Sequence, residues 1–307
     1  MTELKGTITA LITPFGKDGA VDYDGYRSLI RFQLEAGVSG LVVLGTTAET
    51  PTLEDGEKAE LIRIAVEEAG ATSSAGATSS ANGAVPIIVG TGSYSTKDTI
   101  ANTRLAKELG ADAALVVTPY YNRPSDEGVF RHFEAVAVEG GLPVVVYNIA
   151  GRTGRNIPVP LLKRIADIPG IIGVKEASGD MNQIVDVLGT IAAEKPGFTV
   201  MSGDDALTLP VMALGGTGII SVVSNLVPER MVQLTEAMLA GDYERAKGLH
   251  QKLLPLFRGA FLESNPGPIK TAMRMKGLPA GGLRLPLVEM LPENKAKLEQ
   301  ALAEAGI

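Results

Sequence analysis

The residue best suited to covalent chemistry in this sequence is a lysine that ends an apolar run. Lys175 follows Ile171–Val174, the word IIGV. Because burial disfavours an ammonium ion, a lysine here must pair with a carboxylate, extend to solvent or remain a neutral amine. The first two outcomes are structural, and Glu176 is the nearest partner for an ion pair. The third gives a nucleophile that can attack a carbonyl carbon.

Polar residues that could assist such an amine end two other apolar runs. Tyr147 can transfer protons through its phenol, although a tyrosine at a strand end can also simply cap the core. Thr46 and Thr47 follow Gly45, and their hydroxyls and backbone N–H groups suit a substrate carboxylate. Such a turn is equally common as plain structure.

Two further groups stand beyond the runs. Tyr120 and Tyr121 are adjacent, so only one of them can point into a given site. Arg152, in the word GRTG, could bind a second carboxylate through two nitrogens, or could be a solvated loop residue. Together these groups favour an amine nucleophile acting on a keto acid over a structural origin for Lys175.

The sequence contains eight short, apolar, mostly β-branched runs, and the residues described above lie at or just beyond the ends of some of them. The runs lack strict alternation, which is typical of buried parallel strands. The predicted strands are Thr7–Pro14, Gly40–Gly45, Val85–Gly90, Ala113–Pro119, Leu142–Asn148, Ile171–Ala177, Phe198–Asp204 and Gly216–Asn225.

Helical patterns separate the runs, at Asp22–Gly37, Glu54–Gly70, Ser95–Leu109, Ser125–Glu139, Pro158–Ala166, Asp180–Ala193 and Asp204–Leu214. The repeated alternation predicts an α/β fold, a parallel (β/α)₈ TIM barrel, with an open doubly wound sheet as the alternative. Active residues of a barrel gather at the carboxyl ends of its strands. The polar groups above would therefore share one rim.

Beyond residue 227 the pattern is helical without strands. The predicted helices are Pro228–Ala240, Asp242–Glu263, Pro268–Lys276 and Pro292–Ala305. We therefore expect a barrel over residues 1–227, then a closing helix and a small C-terminal helical appendage over 228–307. The segment Ala71–Gly83 repeats the word AGATSS and predicts a loop insertion on the rim opposite the active residues.

Composition excludes several classes of function. The 307 residues carry a net charge of −7 without basic blocks, which argues against nucleic-acid and anionic-membrane partners. There are no cysteines, so disulfides and thiolate chemistry are excluded, and a cytoplasmic location is the expectation. We see no signal peptide and no run long enough for a transmembrane helix.

No cofactor is expected from the motifs. Two histidines and no cysteines leave little for a metal centre. The glycine-rich words GTGSYS and GGTG match neither the Rossmann nor the P-loop pattern, which argues against a nucleotide site.

Taken together and in order, six words of this sequence resemble the dihydrodipicolinate synthase family. They are GTTAET (45–50), TPYYNRP (118–124), YNIAGRTG (147–154), GVKEASG (173–179), SGDD (202–205) and GGTGIISVVSN (215–225). The wider group is the N-acetylneuraminate lyase superfamily of pyruvate-dependent class I aldolases. The resemblance runs from about Gly6 to the NPGPIK and GLRLPL words near residues 265–286.

The resemblance implies a lyase that condenses pyruvate with L-aspartate 4-semialdehyde through a Schiff base, in the diaminopimelate route to lysine. No metal or organic cofactor is implied. Another class I aldolase of the superfamily, acting on a keto-sugar acid or 4-hydroxy-2-oxoglutarate, is one alternative. A barrel that binds a keto acid without catalysis is an alternative of a different class.

The resemblance also assigns roles to residues of the rim. Lys175 matches the lysine that forms the imine, and Tyr147 matches the phenol of a proton relay. Thr46 matches the hydroxyl that continues this relay, and with Thr47 it matches the turn that receives the pyruvate carboxylate. Ile220 matches a residue whose backbone carbonyl faces the imine nitrogen.

Two matches concern the second substrate and the assembly. Arg152 matches the arginine that binds the carboxylate of aspartate semialdehyde. Tyr121 matches a tyrosine that a neighbouring subunit contributes to the relay, which implies a homo-oligomer, a dimer of dimers. The sequence departs from the family at Ala48 and Thr50 in the GTT turn, and at Ala150, where a proline is usual.

Overall fold

Eight parallel strands form a closed barrel in the computed structural model, which describes residues 4–71 and 85–307. Each strand pairs with the next along the chain, and the last pairs with the first. The strands are β1 Gly6–Ala10, β2 Gly40–Val43, β3 Ile87–Gly90, β4 Ala113–Val117, β5 Val144–Asn148, β6 Ile171–Glu176, β7 Thr199–Ser202 and β8 Gly218–Ser221. The predicted barrel is confirmed.

Helices connect the strands on the outside of the barrel. They are α1 Tyr23–Glu35, α2 Asp55–Ala71, α3 Thr96–Glu108, α4 Asp126–Glu139, α5 Ala150–Thr153, α6 Val159–Ala166, α7 Met181–Asp186 and α8 Thr208–Ala213. The helix α7 continues as a π-helical stretch over Val187–Ala192. Serine and aspartate side chains cap several helices; Ser95, for example, accepts a hydrogen bond from the backbone N–H of Asp98.

The strands are shorter than their apolar runs predict, most clearly at the eighth. The predicted strand Gly216–Asn225 ends at Ser221, and Val223–Asn225 forms a 3₁₀ turn instead. The side chain of Asn225 explains this ending. Its amide donates to the carbonyl of Ala10, and its oxygen accepts from the N–H of Ile12. These bonds hold the chain across the mouth of the barrel.

Side chains alternate between the barrel interior and the helical layer along each strand. The interior is filled by apolar residues that include Ile8, Val42, Ile88, Leu115, Val145, Met201 and Ile220. Val174 belongs to the outer core between strands and helices, so its neighbour Lys175 faces the interior. Tyr147 belongs to the interior cluster and pairs directly with Lys175 across β5 and β6.

Four helices follow the barrel: α9 Pro228–Leu239, α10 Tyr243–Gly259, α11 Gly267–Met275 and α12 Pro292–Glu304. The first packs against β1, where the hydroxyl of Thr7 donates to the carbonyl of Met231 over 2.9 Å. The four helices share a second apolar core with the end of β8. The predicted helices are confirmed, while the division at residue 227 stays a prediction.

Two sequence expectations concern the limits of the described chain. The insertion predicted over Ala71–Gly83 lies outside the described residues, apart from the backbone of Ala71 at the end of α2. Within the described residues, no helix is both long enough and apolar enough to cross a membrane.

Gly218 allows the barrel to close and gives the first prediction. A Cβ atom here would overlap the carbonyl oxygen of Gly6 and lie 2.6 Å from its backbone nitrogen. Because backbone cannot move aside as a flexible side chain can, we expect Gly218→Ala to lower the free energy of unfolding by about 3 kcal/mol in urea denaturation.

The control for this prediction is Gly248→Ala, in an exposed turn of α10, where a Cβ would meet nothing within 4 Å. It should raise stability by about 0.5–1 kcal/mol, because alanine restricts the unfolded chain and favours helix. Equal effects of the two substitutions would contradict the closure argument.

Candidate active site

Lys175 lies at the carboxyl end of β6 and is only 5% exposed. Its Nζ atom lies 4.3 Å from the centre of the Tyr147 ring. In the part of the chain that the structure describes, the amine has neither a hydrogen-bond acceptor nor an ion-pair partner. The amine is therefore not held in an ion pair, which leaves it available as a nucleophile.

The ion pair between Lys175 and Glu176 that the sequence left open does not form. Consecutive residues of a strand face opposite sides, and the Glu176 carboxylate lies in the helical layer. There it accepts hydrogen bonds from the side-chain amides of Asn148 and Gln183 and from the backbone N–H of Ser178. Glu176 therefore ties β5 to β6 and leaves Lys175 unpaired.

A cavity of about 520 Å³ opens at the carboxyl rim of the barrel. Three of the residues predicted from sequence, Thr46, Tyr147 and Arg152, line it together. Lys175 does not line this cavity itself; its Nζ atom lies beside the ring of Tyr147, which does. The cavity extends towards α2 and α3, where its walls include Pro51, Lys58, Ile62, Tyr94, Asn102, Leu105 and Tyr120.

The turn after β2 is a compact 3₁₀ helix, Thr46–Ala48, that begins after Gly45. The hydroxyl of Thr50 donates to the carbonyl of Gly45 over 2.9 Å and closes the turn. The family departures at Ala48 and Thr50 therefore leave a well-ordered turn, since the Thr50 hydroxyl forms the closing bond. Thr46 faces the cavity, whereas Thr47 is 2% exposed and lies behind it.

Asn265 joins this turn to the predicted arginine and was missed by the sequence reasoning. Its side-chain amide donates to the hydroxyl of Thr47 over 2.9 Å, and its backbone carbonyl accepts from Arg152 over 3.3 Å. In the sequence, Asn265 belongs to the NPGPIK word of the family resemblance, which assigns it no role. An asparagine between apolar helical segments was the one local signal of a buried polar role.

Arg152 is carried by the single turn α5, which begins at Ala150 and ends at Gly154 in the left-handed conformation. The hydroxyl of Thr153 donates to the carbonyls of Ile149 and Arg155 and fixes this turn. Alanine in place of the usual proline therefore still gives a helical turn at this point. The guanidinium is exposed enough to meet a second ligand.

Ile220 is fully buried in the barrel interior on β8. The chain beyond it is fixed by the carboxylate of Asp205, which accepts hydrogen bonds from the hydroxyl of Ser221 and the backbone N–H of Val222. Burial raises the pKa of Asp205 to about 6, against the opposite effect of these hydrogen bonds. The predicted role of the Ile220 carbonyl stays a prediction.

The two adjacent tyrosines take different environments. Tyr120 lines the cavity, and its ring packs edge-on against Tyr94 with 5.3 Å between the ring centres. Tyr121 is 89% exposed, has a backbone φ of 61° and does not line the cavity of its own chain. The structure therefore brings Thr46, Tyr147 and Arg152 to one cavity, with Lys175 beside the Tyr147 ring, and leaves Tyr121 outside.

Comparison with known proteins identifies the family of this site. A model of the dihydrodipicolinate synthetase family matches residues 3–305. The chain belongs to this family. It is 51% identical to the 4-hydroxy-tetrahydrodipicolinate synthase of Protochlamydia amoebophila, over 98% of this chain and 96% of that protein. It is 46% identical to the enzyme of the same name from Maridesulfovibrio salexigens, over 99% of both chains.

Solved structures of the family have the same fold. Dihydrodipicolinate synthase from Acinetobacter baumannii, solved in complex with pyruvate, is 38% identical, with a TM-score of 0.91 and 99% of both chains covered. The enzyme from Thermotoga maritima is 38% identical, with a TM-score of 0.92 and 99% of both chains covered. A monomeric variant of a dihydrodipicolinate synthase is 38% identical, with a TM-score of 0.92, over 99% of this chain and 97% of that one. The resemblance stated from sequence is confirmed.

Proposed function

We propose that this chain is a 4-hydroxy-tetrahydrodipicolinate synthase, a lyase of lysine and diaminopimelate biosynthesis that condenses pyruvate with L-aspartate 4-semialdehyde. The observation that carries the proposal is the buried, unpaired amine of Lys175 beside the Tyr147 ring at the barrel rim. The two relatives of this name support it, since this chain matches each of them over nearly its whole length.

In the first half of the reaction, the neutral amine of Lys175 attacks the ketone carbon of pyruvate. Water leaves as the imine forms, and its oxygen must be protonated before it can depart. Tyr147 is the phenol nearest the amine, and Thr46 lines the same cavity. We assign these two residues to the proton transfers, with Tyr121 of a neighbouring subunit completing the relay.

The turn after β2 is assigned to the pyruvate carboxylate. Thr46 offers its hydroxyl to the cavity, and the 3₁₀ turn that it shares with Thr47 supplies backbone N–H groups, which suits an anion with two oxygens. The carbonyl of Ile220 is assigned to the imine nitrogen, from the strand that closes the barrel. Both assignments orient the ketone carbon towards Lys175.

In the second half, the imine loses a methyl proton and becomes an enamine, whose carbon attacks the aldehyde of aspartate semialdehyde. Arg152 is assigned to the carboxylate of this second substrate, because a guanidinium binds a carboxylate through two parallel hydrogen bonds. The amine of the semialdehyde then attacks the imine carbon, closes the ring and releases Lys175. The imine is itself the electron sink, so this chemistry needs no metal or organic cofactor.

The exposure of Tyr121 supports an oligomeric enzyme. A tyrosine that is 89% exposed in one chain has most of its ring available to a neighbouring subunit. We propose a homo-oligomer, a dimer of dimers, in which Tyr121 completes the site of the adjacent subunit.

The second prediction tests the covalent mechanism. Borohydride added with pyruvate should reduce one adduct, and peptide mapping should place it on Lys175. Lys175→Ala should fold normally and lose nearly all turnover of pyruvate with aspartate semialdehyde. An adduct on the other buried lysine, Lys270, or no adduct at all, would contradict the mechanism. Cleavage of 4-hydroxy-2-oxoglutarate or of a keto-sugar acid in preference to condensation would favour a different aldolase.

The third prediction tests Arg152. Losing a charge-assisted contact costs about 1.5–3 kcal/mol, so Arg152→Ala should raise the KM for aspartate semialdehyde about 10- to 150-fold. The KM for pyruvate should change far less. Arg155→Ala is the matched control, because Arg155 pairs with Asp126 and does not line the cavity. Equal increases for both substrates in Arg152→Ala would remove the assignment.

The fourth prediction tests the contribution of Tyr121 across an interface. Lys175→Ala and Tyr121→Phe should each be nearly inactive alone. Mixed subunits should regain activity, because a Tyr121→Phe subunit keeps its lysine and receives an intact tyrosine from its partner. The measurement is turnover after subunit exchange verified by mass spectrometry. Verified exchange without recovery would place Tyr121 outside the neighbouring site.

A further inference from the structure

We propose that Lys270 and Glu49, a buried ion pair between the C-terminal helices and the turn after β2, are positioning residues for the substrate carboxylate. Lys270 lies on α11 and Glu49 directly follows the turn Thr46–Ala48. The proposal rests on the assignment of that turn to pyruvate. The pair contacts no substrate itself, and it acts by fixing the backbone of the turn.

The turn is flanked by two residues in a disfavoured conformation. Leu44 has a φ of 57° and Glu49 a φ of 56°, in the left-handed region that side chains other than glycine rarely adopt. Such residues persist only where their surroundings hold them, and they are common in ligand-binding segments. The turn that presents Thr46 and Thr47 therefore needs a fastening beyond its own local hydrogen bonds.

The Glu49 carboxylate provides that fastening. One oxygen accepts from Nζ of Lys270 over 2.8 Å, and the other accepts from the backbone N–H of Arg284 over 3.0 Å. Both donors lie beyond residue 264, more than 200 residues after the turn in the sequence. The backbone of Glu49 is thus held by its side chain from two directions.

Lys270 also joins the turn to the segment that follows β1. Its Nζ donates to the carbonyl of Thr13 over 2.9 Å, and the Thr13 hydroxyl donates to the carbonyl of Ala48 over 2.8 Å. The ammonium lies 4.3 Å from the centre of the Phe15 ring. One cation therefore fixes the turn relative to both β1 and α11.

The burial of this pair argues for an orienting role. The side chains of Lys270 and Glu49 are both 0% exposed. Removing two charges from water costs so much that apolar residues of similar volume often stabilise a protein equally well. An apolar pair, however, cannot form the directional hydrogen bonds that hold the backbone of the turn in one conformation. Burial lowers the pKa of Lys270 to about 8, with Glu49 acting in the opposite sense, so the ammonium is retained at neutral pH.

A purely structural role would lower stability without discriminating between substrates. A positioning role predicts a selective effect, because the turn Thr46–Ala48 is assigned to pyruvate, whereas Arg152 is held by α5 and the Asn265 carbonyl. The informative quantity is therefore the KM for each substrate, measured beside kcat and the urea midpoint.

The test is Lys270→Met, which keeps an unbranched side chain, one atom shorter, and removes its charge. We expect the KM for pyruvate to rise about 10- to 100-fold, the effect of losing one or two hydrogen bonds to a carboxylate. The KM for aspartate semialdehyde should change little. If the unpaired carboxylate prevents folding, the double variant Lys270→Met/Glu49→Gln removes both charges and should show the same selective increase.

The matched control is Arg274→Met on the same helix, which breaks the pair with Glu289 without touching Glu49. It should leave both KM values within about twofold of the wild type. A folded Lys270 variant with an unchanged KM for pyruvate overturns the proposal, and so does a parallel increase for both substrates. Failure of the wild type to trap pyruvate on Lys175 would instead overturn the proposed function.

Discussion

The closed ring of parallel strands is the constraint on which the site depends. Parallel strands bring all of their carboxyl ends to one rim, and the side-chain alternation of each strand sends every second residue inward. Tyr147 and Lys175 occupy paired positions on adjacent strands, so closure alone places a phenol beside an amine. Their neighbours in sequence, Asn148 and Glu176, face the helices and bond to each other there. The register of β5 against β6 therefore places Tyr147 beside Lys175 inside the barrel, and it pairs Asn148 with Glu176 outside it.

Two buried lysines illustrate how surroundings decide the role of one side chain. Lys270 meets a carboxylate, a carbonyl and an aromatic face, which together stabilise its charge. Lys175 meets an aromatic ring and no anion, so its amine is not held in an ion pair. Burial is nearly equal for the two residues, at 0% and 5% exposure. The difference lies in the partner: Lys270 is held in an ion pair, and Lys175 is left without one, as the proposed mechanism requires.

The C-terminal helices form part of the site as well as part of the core. Asn265 contacts both the turn that bears Thr47 and the guanidinium of Arg152. A few residues further, Lys270 holds the other end of the same turn through Glu49. The two proposed carboxylate sites are thus connected through one segment outside the barrel.

The sequence by itself determined the strand order, the barrel and the position of Lys175 and Tyr147 at the ends of two strands. These features are local, because an apolar run predicts a buried strand and the residue that ends it falls on the rim. Only the tertiary structure decided the strand ends, since ladder hydrogen bonds stop where the neighbouring strand stops. It alone decided the exposure of Tyr121 and the pairing of Lys270 with Glu49, which lie 221 residues apart. Such a pairing leaves no periodic trace in the sequence, because it depends on how α11 packs against the rim.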